Sequence, residues 1–124
     1  MTLVRRADAR RTATPAATMT TYASPTLGGA GSALWRVEMA PAATGPAHVI
    51  DAEQIWTVIE GAALFAIADE HVTASVGDTV VIPAQVTREV HADPALGLVA
   101  VVAGPAGSRA RVGDGESVLP PWIA

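Results

Sequence analysis

His48-Val49-Ile50-Asp51-Ala52-Glu53-Gln54-Ile55-Trp56-Thr57-Val58-Ile59-Glu60-Gly61 is where the architecture of this chain becomes readable. From Gln54 the residues alternate, with Gln54, Trp56 and Val58 on one face and Ile55, Thr57 and Ile59 on the other, which is the two-residue period of a strand. Gly61 ends it with a turn. His48 and Ile50 share a phase in a short strand just before. A histidine, an acidic pair at Asp51 and Glu53 and a strand closed by glycine form the frame of a metal site, yet few of the side chains suit a metal. A second stretch answers the first: the Gly77-Asp78 turn, the apolar strand Thr79-Val80-Val81-Ile82, then Pro83 and Arg88.

Outward from these stretches the chain reads as short strands punctuated by Gly, Pro and Asp turns. Thr18 to Tyr22 alternates weakly. Ala33 to Met39 alternates well, with Trp35, Val37 and Met39 on one face. After Gly61, Ala63 to Ile67 forms a strand, Asp69-Glu70 turns the chain into His71 to Ala74, and Val86 to Ala92 alternates again. Leu96 to Ala103 is the longest apolar run, as expected of a strand buried on both faces. No segment carries a 3.6-residue stripe over three turns. The pattern predicts an all-β antiparallel sandwich or barrel.

The length of 124 residues suits one domain with its own core, here 1–124, with an N-terminal arm or edge strand over 1–16 and a tail over 113–124. Leu119 to Ile123, including Trp122, is too apolar to stay in water and is expected to pack on its own barrel or on a partner. There is no cysteine, and all eight basic residues are arginine. Disulfides, thiolate chemistry, Schiff bases and a P-loop lysine are thereby excluded; the glycines at 28–31, with no lysine and no helix pattern following, read as a turn in preference to a phosphate-cradling loop.

The net charge is −4. Arg5, Arg6, Arg10 and Arg11 crowd the start and leave the rest acidic, so no nucleic-acid partner is expected. A targeting peptide is the alternative reading of that basic start. Asp8 interrupts it and no apolar segment follows before Pro15, so a cytoplasmic location is expected. No apolar run reaches the ~18 residues of a membrane-spanning helix, and no membrane partner is expected.

His48, Gln54, Trp56 and Gly61, followed by Gly77-Asp78 and Pro83, resemble the two signature motifs of the small single-domain cupins of the RmlC-like superfamily. The likeness covers residues 45–92. It implies a jelly-roll barrel and a homodimer. In that family three His and one Glu hold a divalent metal, and the corresponding positions here carry His48, Ile50, Gln54 and Arg88. One ligand type survives. A neutral amide stands for the carboxylate, and a permanent cation stands for the last imidazole. Glu53 and His91 lie out of phase with these positions, and His71 is no ready substitute. No metal and no cofactor are expected.

The family's inward phase would turn His48, Ile50, Gln54, Trp56, Val58, Arg88 and Val90 to the interior, giving apolar walls with a few convergent polar groups. An inward Arg88 needs an anionic partner, either Glu38 or another acid of the protein, or a ligand. Alternatively Arg88 leans outward to Glu89 or Asp93, Gln54 merely ties His48 in place, and Trp56 is core. The expected function is a metal-independent cupin that binds a small organic anion. One alternative is an enzyme, an isomerase, cyclase or dehydratase, with His48 as acid or base and Arg88 stabilising the anion. The other is a metal-dependent cupin oxygenase with a non-standard site.

Overall fold

A computed structural model describes residues 1–124. After a 3-10 turn at Arg6–Asp8 come ten strands: β1 (Arg10–Ala13), β2 (Thr18–Ala23), β3 (Ser32–Met39), β4 (His48–Ile50), β5 (Gln54–Ile67), β6 (Glu70–Ser75), β7 (Thr79–Ile82), β8 (Thr87–Ala92), β9 (Leu98–Pro105) and β10 (Ala110–Arg111). Every pairing between them is antiparallel. One sheet runs β1-β2-β3-β9-β5-β7 and the other β6-β5-β8-β4-β10, with β5 common to both. The fold is the all-β jelly roll. No helix is long and apolar enough to cross a membrane.

β5 makes the barrel. Its first half pairs with β9 and β7, and its second half with β6 and β8. The crossing from sheet to sheet occurs at a register shift between Val58 and Glu60 and at Gly61, where φ is 69°. A Cβ on Gly61 would overlap the Gly97 carbonyl, so glycine alone fits there. The expected turn at Gly61 is therefore a bend inside one continuous 14-residue strand. Gly77-Asp78 does turn, and the Asp78 carboxylate accepts the Ser75 amide at 2.9 Å. The turn is also pinned to β5: the Val58 amide donates to the Asp78 carbonyl and the Gly77 amide to the Val58 carbonyl.

The inward phases of β3 and β9 supply much of the core. Ala33, Trp35, Val37 and Met39 are buried, and so are Leu98, Ala100 and Val102. β9 departs from expectation, because its alternate residues Val99 and Val101 are only half-buried. Its outer face lacks a covering layer.

The tail closes on its own barrel. Ile123 is 1% exposed within the core cluster, and Trp122 packs against that cluster. The Thr21 hydroxyl donates to the Trp122 carbonyl at 2.8 Å, and the Ser24 hydroxyl to that of Ala124 at 2.8 Å. Trp122 and Ile123 are thus consumed within the chain, whereas Leu119 stays exposed. Of the N-terminal arm, Arg10–Ala13 forms the edge strand β1.

Candidate functional site

Between the two sheets lies a cavity of about 600 Å³, within the range of small-molecule sites. Met19, Trp35, Val37 and Met39 wall it from one sheet. His48, Ile50 and Val90 wall it from the other, and Gln54 and Trp56 join from β5. The tail, through Trp122 and Ile123, completes it. Trp35, Trp56 and Trp122 are the three tryptophans of the chain, and all line this space.

Of the residues expected inward, Ile50, Gln54, Trp56, Val58, Arg88 and Val90 are all buried. The cavity brings together His48, Ile50, Gln54, Trp56 and Val90. Val58 lies in the core cluster and does not reach the cavity. Arg88 does not reach it either. The side chains from β3, β2 and the tail lie outside the motifs that mark the site, although the alternation of 33–39 already turns Trp35, Val37 and Met39 to one face.

Arg88 is 1% exposed, so the outward alternative fails. Glu89 pairs with His91 at 2.8 Å, and the Asp93 carboxylate caps the amides of Ala95 and Leu96. The inward acid is missing too, because Glu38 pairs with Arg36 at 3.1 Å. The Arg88 guanidinium donates instead to the carbonyls of Pro83 at 2.7 Å and Val86 at 3.2 Å, and to the Gln54 amide oxygen at 3.5 Å. It makes no salt bridge. Desolvation lowers its pKa to about 10, and it still carries its charge at neutral pH.

Gln54 ties Trp56 and Arg88, not His48. Its amide oxygen accepts from the Trp56 indole N–H at 3.1 Å as well as from Arg88. Both partners can only donate, which fixes the amide orientation and leaves the NH₂ group with no protein acceptor. The Trp56 N–H is thus spent within the protein, and its ring meets Phe65 edge-on at 5.6 Å.

His48 stands opposite Arg88 in the β4–β8 register. Its Nδ1 lies 2.8 Å from the Pro46 carbonyl. Nδ1 therefore carries the proton, and Nε2 is a lone-pair acceptor without a protein partner. Burial lowers its pKa, the Pro46 hydrogen bond partly opposes this, and the Arg88 charge lowers it further, so that the neutral ring is favoured.

The metal arrangement of the family finds no fit in this donor set. Ile50 has no donor atom, the Gln54 oxygen is engaged twice, and the Arg88 cation stands where an imidazole would be. No three His, Cys, Asp or Glu side chains cluster anywhere in the structure.

A family model described as "Cupin domain" matches residues 35–103. Among solved structures, the polyketide cyclase RemF from Streptomyces resistomycificus is similar, with a TM-score of 0.76 at 20% identity over 98% of this chain and 88% of that one. A cupin 2 domain-containing protein from Halorhodospira halophila gives 0.74 at 17% identity, covering 80% of this chain and 71% of that one. An oxalate decarboxylase of Bacillus subtilis gives 0.72 at 16% identity over 82% of this chain, which spans only 28% of the enzyme. These likenesses carry the fold alone. No curated protein matches the sequence.

Proposed function

The chain belongs to the cupin domain family, and from that premise we propose that its barrel binds a small, largely apolar organic molecule without a metal ion. The observation that carries this reading is the cavity with its two unpartnered polar groups, the His48 Nε2 acceptor and the Gln54 NH₂ donor, set among three tryptophans. Apolar walls supply the driving force, and the two groups orient the ligand. Direct pairing of a ligand anion with Arg88 drops out of the reading, because that side chain stands outside the cavity wall.

The test is a tryptophan-fluorescence titration of EDTA-treated protein with naphthol, beside a Val90→Phe variant that fills the cavity. Saturable quenching in the wild type that the variant loses supports the reading. Identical titrations of both overturn it.

A second reading is catalytic. His48, neutral and with Nε2 free, has the form of a general base, as an isomerase, cyclase or dehydratase would need. Gln54, and not Arg88, would then face the developing oxyanion. A homodimer belongs to the same proposal. Leu34, Ala103, Ile55 and Val81 stand in register across β3, β9, β5 and β7, and Leu34, Ile55 and Val81 are exposed on the outer face. Such a row suits a second copy of the chain.

A further inference from the structure

A buried guanidinium with no carboxylate partner is costly, and here it sits directly behind one of the two polar groups of the cavity. Structural need does not explain its charge. The carbonyls of Pro83 and Val86 accept hydrogen bonds that a neutral donor would also make. What only a cation supplies is a positive field, transmitted through the Gln54 amide to whatever rests on its NH₂ group.

We propose that the cavity selects phenols and enols, and that the Arg88–Gln54 pair makes such a hydroxyl ionise at lower pH when its oxygen rests on the Gln54 amide. This rests on the reading of the cavity as a small-molecule site. The hydroxyl proton is released to solvent. The neutral His48 stays an acceptor, because burial and Arg88 both oppose its protonation.

Carboxylates fit less well. They must shed water from two charged oxygens, and the cavity offers a single amide donor with no direct cation to replace it. A phenol or enol enters neutral, lays its apolar body against Trp35 and Trp56, and ionises once seated. A second hydroxyl on the ring can donate to His48 Nε2.

No carboxylate pairs with Arg88 to cancel this field. His48 is the only titratable side chain on the cavity wall. Arg36 and Glu38 of β3 pair with each other, as do Glu89 and His91 of β8, and Arg111 of β10 donates to the Gly113 carbonyl. Through the amide, the guanidinium stands roughly 7 Å from the bound oxygen, where a unit charge at an effective dielectric of about 20 moves an ionisation by about one to two pH units.

The experiment uses para-nitrophenol, whose phenolate absorbs in the visible, with the full chain after EDTA treatment. Tryptophan quenching reports occupancy, and visible absorbance against pH reports the ionisation midpoint of the bound probe. The wild type is expected to show a midpoint about one unit below that in Gln54→Glu or Arg88→Met. Gln54→Glu neutralises the cation and removes the donor at nearly constant volume, so it decides the matter alone if Arg88→Met fails to fold. Equal midpoints in occupied wild type and Gln54→Glu overturn this inference and leave the cavity reading intact. Absence of quenching in the wild type overturns both.

Discussion

The Arg88 guanidinium and the Gln54 amide oxygen meet at 3.5 Å inside the barrel, and Arg88 has no carboxylate partner. A cation thus stands at the position to which the motif resemblance assigns the last metal-binding imidazole. Burial depresses the Arg88 pKa to about 10, the direction expected of a cation kept from water without a counter-charge.

Gln54→Glu supplies the missing counter-charge while keeping an acceptor for the Trp56 indole. An existing buried charge gains a partner, so the variant is expected to be more stable by about 1–3 kcal/mol at pH 7 in urea denaturation. The carboxylate pKa is depressed beside Arg88. The gain is therefore present above the free Glu value of about 4.3 and is lost as pH falls through the folded value. A variant less stable than the wild type at pH 7 would show that Arg88 is already compensated.

His48 gives a dependence of the same sign, set in a higher pH window. Its folded pKa lies below the unfolded value of about 6.5, so the unfolded chain takes up the proton first. Stability is expected to be greatest above that pH and to decline as the solution is acidified through it, with His48→Gln flattening the slope. An NMR titration of the ring checks the premise. A midpoint above that of a free histidine would refute it.

How much of this could be read beforehand follows from what sets each feature. Alternation and turn residues mark the strands, and Gly61, Gly77, Asp78 and Pro83 mark the jelly roll, because local geometry demands those residues. The phase that turns Gln54, Trp56 and Arg88 inward was equally legible. Depth was not: Arg88 and Val90 share a face of β8, yet only Val90 reaches the cavity. How far along the barrel the space extends depends on β3 and on the tail, which no local pattern places. The partner of Gln54 is likewise not legible, because register sets Arg88 opposite His48 and Ile67 and Gln54 opposite Ile82, and only side-chain reach inside the barrel brings Arg88 to Gln54 while His48 turns to the nearby Pro46 carbonyl.

The tail is part of the core. Ile123→Ala is expected to cost about 2–4 kcal/mol, the usual loss for a fully buried aliphatic side chain, with a matching fall in urea midpoint. A loss under about 0.5 kcal/mol, the level of surface substitutions, would mean that the tail is peripheral in solution.

Ile55→Glu places a charge in the middle of the exposed row formed with Leu34 and Val81. The wild type is expected to elute as a dimer and the variant as a monomer in light-scattering chromatography, with unchanged strand content by circular dichroism. A wild-type monomer, or a variant that remains dimeric, counts against that face.

The most direct test is an electron-density map of the barrel from crystals grown with naphthol and with zinc and manganese both present. Ring density is expected beside Trp35, Trp56 and Val90, with its oxygen on the Gln54 amide and no anomalous peak at His48. A metal peak on His48 Nε2, or ring density only outside the barrel, would contradict that expectation.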